Sequence, residues 1–260
     1  MKVTSKATEI VLVERRDGVL AITINRPAQK NAINHEVAVQ LGSALDLLDG
    51  DPALSVGVLT GADGTFCAGM DLKAFARGER PTLPDRGFGG LTRAMVRKPL
   101  IAAVEGWALG GGFELALGCD LIVAAEDAKF GFPEVKRGLV ASEGGLVRLP
   151  RRIPYHVALR VLLTGDPLAA PEASEHGLVS VLTAPGAALD KARELAGHIA
   201  VNAPLALAAV KEIVRTTQAL DDRDAFEHQD RISSRLISSE DAQEGARAFA
   251  EKRPPVWRGT

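Results

Sequence analysis

Three consecutive glycines, Gly110-Gly111-Gly112, stand between the apolar run Leu100-Ile101-Ala102-Ala103-Val104 and the helix-forming run Phe113-Glu114-Leu115-Ala116-Leu117. The pattern predicts a buried strand that leads through a glycine turn into a helix. A glycine inside a helix costs roughly 1 kcal/mol relative to alanine, so a plain connection would seldom use three. What they permit is close approach. Backbone N–H groups at a helix start are unpaired and carry positive partial charge, and with no side chains around them they can hold a developing oxyanion. Glu114 follows Gly111 by three positions, about one helical turn on and over the same face. A carboxylate and an anion-holding amide would then look into one cavity. The plainer alternative is a tight turn with Glu114 solvated or capping. Neither a Gly-x-Gly-x-x-Gly fingerprint at 110–115 nor a Gly-Lys-Ser/Thr P-loop is present.

The rest of the chain supplies a frame for such a turn. Runs rich in β-branched residues, Ile10 to Glu14 and Val19 to Asn25, flank Arg15-Arg16-Asp17-Gly18, and Asp-Gly predicts a β-hairpin. From His35 to Leu48 the apolar positions Val37, Val39, Leu41, Leu45 and Leu48 recur at mainly helical intervals, and Gly50-Asp51-Pro52 is the stop. Val56 to Thr60, Leu100 to Val104 and Leu121 to Ala125 are short and almost wholly apolar; with helices between them they predict buried, parallel pairing in an α/β fold. After about residue 186 the segments 187–200, 204–220, 222–237 and 241–252 all read as helix. The division we expect is a core over 1–200 and a helical C-terminal region over 201–260. Residues 77–90, with Pro81, Pro84 and four glycines, read as a mobile loop of the kind that lines a site.

Two further turns carry candidate groups. The stretch Thr60-Gly61-Ala62-Asp63-Gly64-Thr65-Phe66-Cys67-Ala68-Gly69-Met70-Asp71-Leu72-Lys73 also follows a strand; it could supply a second N–H donor, or be a plain loop with Asp71 capping the next helix. Lys129-Phe130-Gly131-Phe132-Pro133-Glu134 places a carboxylate after a proline that holds its predecessor extended. Taken alone, Glu134 reads as a surface glutamate.

Composition narrows the partner. With 31 Lys+Arg against 33 Asp+Glu the formal net charge is −2, so the basic excess that nucleic acid or an anionic membrane requires is missing. Hydrophobic residues at 46% and charged ones at 25% fit a globular chain rather than a disordered one. Cys67 and Cys119 are too far apart for a Cys-x-x-Cys pair, which favours a reducing compartment. Met1 to Lys6 has no apolar stretch behind it that would read as a leader, and no run reaches the roughly 18 apolar residues of a membrane span. The expectation is a cytoplasmic protein with no membrane partner. Five scattered histidines, with no i, i+4 pair among them, give no expectation of a metal site. The run Arg148-Leu149-Pro150-Arg151-Arg152 reads as a solvated helix end, and Trp107 and Trp257 as packing or interface residues.

Taken in order, the motifs resemble the crotonase (enoyl-CoA hydratase/isomerase) superfamily. Asn25-Arg26-Pro27 with Asn31-Ala32, then Phe66-Cys67-Ala68-Gly69-Met70-Asp71-Leu72, then Pro99 to Glu114, then Phe130 to Glu134, Leu163-Thr164-Gly165 and finally Ala248 to Arg253 with Pro255 follow the family's order over essentially the whole chain. The resemblance implies a crotonase-like spiral of ββα units, two roughly perpendicular sheets, and a helical C-terminal region that builds homotrimers, often paired into hexamers. It implies an acyl thioester of coenzyme A as substrate, with no separate cofactor and no metal. By motif position, the amides of Met70 and Gly111 would form the oxyanion hole. Ala68, Asp71, Leu72 and Lys73 would border the coenzyme, with Ala28 on the same side and Gly110 beside them. Phe249 and Lys252 match positions that reach the coenzyme of a neighbouring subunit.

The chemistry needs just such parts. Adding water across a double bond conjugated to a thioester develops charge on the carbonyl oxygen, and removing one preorganised donor from such an oxygen typically costs about 100- to 1000-fold in rate. A base must activate water and an acid must protonate the α-carbon, each worth roughly 100- to 10,000-fold. In hydratases of the family both positions matching Glu114 and Glu134 are glutamate, as here, whereas isomerases commonly rely on the Glu134 position alone. Hydratase is therefore the leading expectation. An isomerase or other lyase using Glu134, and a non-catalytic acyl-CoA-binding oligomer, are the alternatives. Two departures bear on the reaction. Met70 stands where many hydratases have alanine, and Ala141-Ser142-Glu143-Gly144-Gly145 stands where they tend to have Pro-Gly-Ala-Gly-Gly. Glu143 is then either a third carboxylate near the other two, raising their pKa values, or a solvent-facing loop residue.

Overall fold

The computed structural model describes residues 9–260; Met1 to Lys6, read above as lacking a leader, lie outside them. Asp17 and Gly18 both take positive φ, 49° and 77°, as the turn of an Asp-Gly hairpin demands. That turn joins β1 (Val11–Arg16) to β2 (Val19–Ile24) in antiparallel register from Val11↔Ile24 to Arg16↔Val19. Next come α1 (His35–Gly50), β3 (Val56–Gly61), α2 (Leu72–Ala76), the two-residue strands β4 (Thr82–Leu83) and β5 (Gly87–Phe88), β6 (Leu100–Val104), β7 (Trp107–Leu109) and α3 (Gly111–Gly118). The chain continues through β8 (Leu121–Ala125), β9 (Lys129–Gly131), a 3-10 turn (Pro133–Arg137), α4 (Gly145–Arg152), α5 (Tyr155–Thr164), β10 (Leu168–Ala169), α6 (Ala170–Glu175) and β11 (Val181–Thr183). Four helices close it: α7 (Ala188–Ala200), α8 (Pro204–Thr217), α9 (Asp222–Ile237) and α10 (Glu240–Glu251).

The main sheet has the order β1-β2-β3-β6-β8-β11, parallel from β2 onward, and a smaller sheet has the order β10-β9-β7. The winding is a repeated unit. β6 lies in the large sheet, β7 in the small one, and α3 follows; β8, β9 and α4 repeat the step. The preceding turn is an incomplete version, in which Cys67 bridges Ala108 in parallel after β3 and before α2. One turn earlier Ile33 bridges Met70 in the same sense, between β2 and α1. Each unit therefore sets its strand-to-helix turn beside that of the next, which stacks the Met70 turn on the Gly111 turn.

Most of the elements lie where hydrophobic periodicity put them, and the differences have physical reasons. In α1, Asn34 caps through its side chain, which accepts from the Val37 amide, and Val37, Leu41, Leu45 and Leu48 are buried; Val39, grouped with them by spacing, is exposed. The helix 188–200, within the 1–200 expected as core, packs directly on the main sheet. Its small residues Ala188, Ala192 and Ala196 lie on one face and pack on Val56, Val58, Ile101 and Val123 of the sheet. Within residues 77–90, Thr82–Leu83 and Gly87–Phe88 pair as a short antiparallel hairpin. Arg86 ties it to α1, donating to the Gly42 and Gly90 carbonyls and to Asp46, and Phe88 is buried. Arg148 is no solvated helix end, since it donates to the carbonyls of Thr92 and Glu143. Trp257 donates through Nε1 to the Val201 carbonyl at 2.8 Å, and Trp107 stays partly exposed beneath Lys129. Among the described residues no single helix is long and apolar enough to cross a membrane.

Candidate functional site

Each of the three glycines has its own reason to be one. Gly110 sits at φ 54°, ψ −126°, a conformation open in practice to glycine alone, and a Cβ there would stand 2.9 Å from Glu134 Oε1. A Cβ on Gly111 would stand 2.5 Å from the Phe88 ring, and one on Gly112 would strike the Cys67 carbonyl. The turn is thus packed against a carboxylate, an aromatic ring and the neighbouring turn at once. Gly111 opens α3, so its N–H has no intrahelical acceptor, and none is found elsewhere among the described residues.

The second donor turn abuts the first. A Cβ on Gly69 would lie 3.3 Å from the Gly111 nitrogen and 2.7 Å from the Leu109 carbonyl. The Ile33 amide donates to the Gly69 carbonyl and the Asp71 amide to the Ile33 carbonyl, which leaves the Met70 amide between them without an acceptor among the described residues. Cys67 helps shape the bend, its Sγ accepting from the Gly69 amide at 3.3 Å. Burial pushes the Cys67 thiol up to about 12, so it stays protonated and serves packing rather than nucleophilic chemistry.

Glu114 is buried in the first turns of α3. Its Oε1 accepts from the amides of Glu143 at 2.7 Å and Gly145 at 2.9 Å. Burial pushes its carboxyl up to about 7; the two amides pull it back, and the charges of Glu134 and Glu143 push it further up. Glu134, in the 3-10 turn, is not a free surface residue: its Oε2 is buried with no hydrogen-bond partner among the described residues. Burial raises its carboxyl as well, against its own backbone amide and Arg137. An orphaned buried oxygen favours the neutral carboxylic acid, while two aimed amides favour a carboxylate. The site therefore holds two carboxyls that burial raises, of which Glu114 alone is aimed by the amides of a distant loop.

The other candidate positions divide. Ala28 lies in the 3-10 turn Pro27–Gln29, and the Ala68 amide donates to the Lys30 carbonyl at 3.0 Å, so these segments share one side. Ala68, Leu72 and Lys73 are exposed there. Asp71 caps α2, accepting from the Lys73 and Ala74 amides, and pairs with Arg26 at 3.0 Å, so its carboxylate is already engaged. Phe249 and Lys252 are exposed at the far end of the chain, on and just after α10, which packs against α9 rather than among the elements around Glu114. Glu143 is not solvent-facing but a third carboxylate near Glu114, whose carboxyl its charge helps to raise, and Arg93 pairs with it at 3.1 Å. Phe88 and the Gly145 amide were missed from the sequence. Phe88 falls inside the segment expected to line a site, but an amide that becomes a donor only through loop geometry leaves no mark in residue type.

Comparison with known proteins fits this geometry. The profile of the enoyl-CoA hydratase/isomerase family matches residues 14–260. Enoyl-CoA hydratase EchA19 of Mycobacterium tuberculosis is 45% identical over 256 residues, covering 95% of this chain and 96% of that protein. A carnitinyl-CoA dehydratase of Proteus mirabilis is 42% identical, with coverage of 94% and 96%. Among solved structures, an enoyl-CoA hydratase from Mycobacterium tuberculosis superposes with a TM-score of 0.94 at 57% identity, over 96% of this chain and 99% of that one.

Proposed function

The chain belongs to the enoyl-CoA hydratase/isomerase family and is a crotonase-fold enzyme of the hydratase/dehydratase type; we propose that it adds water across the 2,3-double bond of a 2-enoyl-CoA thioester. The observation that carries the reading is the pairing of two amides without acceptors among the described residues, Met70 and Gly111, with a buried carboxyl, Glu114, and a half-buried one, Glu134. The thioester oxygen would sit between the amides, which stabilise it as the π electrons move onto it. Glu114, aimed by the Glu143 and Gly145 amides, takes a proton from water as the oxygen attacks C3. Glu134, beside Gly110 and with its carboxyl raised by burial, delivers a proton to C2. The ionised Glu134 and protonated Glu114 then re-equilibrate through solvent. Dehydration of a 3-hydroxyacyl-CoA is the same path read backward, which accommodates the relatives named carnitinyl-CoA dehydratase.

The coenzyme would run along Ala28, Ala68 and Leu72 to Lys73. Exposed Phe226, Ile237 and Phe249 on α9 and α10 support a trimer or hexamer, in which Phe249 and Lys252 reach a neighbour's coenzyme. The test is incubation with 2-enoyl- and 3-enoyl-CoA thioesters of graded length and with carnitinyl-CoA. A 3-hydroxyacyl product from the 2-enoyl substrate, lost in Glu114→Gln, is expected. Interconversion of the two enoyl isomers without hydration would establish an isomerase instead.

A further inference from the structure

Glu143 touches both halves of the site. Its side chain is 17% exposed. All its carboxylate bonds go to one segment: Oε2 accepts from the Phe88 amide at 3.1 Å, the Thr92 hydroxyl at 3.1 Å and Arg93 Nε at 3.3 Å, and Oε1 accepts from Arg93 Nη2 at 3.1 Å. Its own amide donates to Glu114 Oε1 at 2.7 Å. Arg148 braces the same joint, donating to the Glu143 carbonyl at 3.4 Å and to the Thr92 carbonyl. Phe88, at the head of the segment so gathered, is the residue whose ring lies against Gly111.

One residue is therefore hydrogen-bonded through its side chain to the wall beside the oxyanion turn and through its main chain to the carboxylate at the reacting centre. The wall-side bonds involve an ionised acceptor, and such bonds are about twice as strong as neutral ones. A shift of the Phe88–Arg93 segment must then move the Glu143 amide, and with it Glu114.

We propose that Glu143 is a positioning residue that couples the Phe88 wall to the aim of Glu114. Acyl groups that displace Phe88 are then turned over slowly even when they bind. The proposal rests on the hydratase reading above.

The experiment compares Glu143→Ala, Glu143→Gln and Thr92→Val in the full-length protein, with steady-state kinetics on a short 2-enoyl-CoA and with hydrogen exchange of the segments 88–93 and 141–145 by mass spectrometry. Glu143→Ala removes the coupling, and a fall in kcat of about 10- to 100-fold is expected with KM within about threefold, since misplacing a catalytic group can cost on the order of 100-fold. Glu143→Gln keeps an oxygen for the Phe88 amide and the Thr92 hydroxyl, and is expected to retain kcat within about threefold. Exchange should quicken in both segments in the alanine variant and stay near wild type in the glutamine variant. A merely structural role would lower the melting temperature and leave kcat per folded enzyme unchanged, which overturns the proposal. If Glu143→Ala does not fold, Thr92→Val, which removes one donor to the same oxygen, carries the test, and an unchanged kcat there overturns the proposal equally. Wild-type protein that hydrates no 2-enoyl-CoA yet shows the exchange differences would refute the hydratase reading and leave the coupling standing. Hydration with unaltered exchange in every variant would do the reverse.

Discussion

Gly110 faces Glu134 so closely that a methyl group on its Cα would stand 2.9 Å from Oε1 of that carboxylate. The contact joins the end of one strand-to-helix turn to the 3-10 turn that follows β9, 24 positions further on. It sets a carboxyl at the entrance to the helix whose first amide is a proposed oxyanion donor.

Gly110→Ala tests that contact. The substitution adds a side chain where φ is 54° and where Glu134 already sits, so both backbone and carboxylate must move. We expect a loss of about 100-fold or more in kcat/KM, the scale of a lost oxyanion donor. The strain should also cost about 1–3 kcal/mol of stability. Wild-type turnover in a folded Gly110→Ala protein would remove this turn from the reaction.

Glu114→Gln should trade activity for stability, in a pH-dependent way. The folded state holds the Glu114 proton to about pH 7, against an ordinary value of 4.5. The raised value means that the folded state binds this proton more tightly than the unfolded chain does. Its contribution is fully present below about pH 4.5 and is lost as pH rises through about 7. At pH 8 the variant should therefore be the more stable relative to wild type, by up to about 3 kcal/mol, with the difference shrinking towards pH 5. Denaturant titrations at the two pH values check the sign, and hydration should fall about 100- to 10,000-fold in the same variant.

Glu134→Gln removes the acid while keeping the shape. The expected result is a fall in kcat of about 100- to 10,000-fold, with KM little changed because the amides and the coenzyme-side segments are untouched. The amide's N–H groups would enter a pocket where Oε2 has no partner among the described residues, so a drop in melting temperature should accompany the loss. Turnover equal to wild type would disqualify Glu134 as the proton donor.

The Arg26–Asp71 pair predicts an acid sensitivity distinct from the carboxyls of the site. Burial works against the Asp71 charge, but the Ala74 amide and the Arg26 guanidinium prevail and hold the carboxyl below its ordinary 3.8. Stability from this group is present above that value and drains away as pH falls through the lowered one. Asp71→Ala removes the α2 cap and the ion pair together, and should cost about 1–2 kcal/mol at neutral pH. It should also raise KM for the thioester, through the adjoining Met70 turn. Calorimetry at pH 7 and pH 3 would show a deficit in the variant that narrows in acid.

How far the site could be read from residue order depended on the range of the interaction. The Asp17-Gly18 hairpin, the apolar face of α1 and the strand-turn-helix around Gly110 are local, set by φ preference and by periodicity over a few residues, and they appear where expected. The motif positions of Glu114 and Glu134 pointed to a pair, and the two carboxyls do lie within electrostatic reach. Other assignments failed where charge or exposure was judged from type alone. Glu143 could have been a solvent-facing loop residue and Arg148 a solvated end; each is instead fixed by partners far along the chain, as in the Glu143 bond to Phe88 across 55 positions.

The chain's residue order by itself determined the alternation of buried strands with helices, the glycine turn and the acidic residues stationed near it, because those follow from backbone freedom and side-chain period. Tertiary structure alone decided that the Gly69 and Gly110 bends stack and that Glu114 hangs from two amides of a distant loop. It also decided that Glu134 keeps an oxygen without a partner among the described residues and that 188–200 packs on the sheet. Those features arise when the repeated units wind onto one another, and burial and long-range hydrogen bonds, which set the chemistry of a carboxyl, exist only once they have done so.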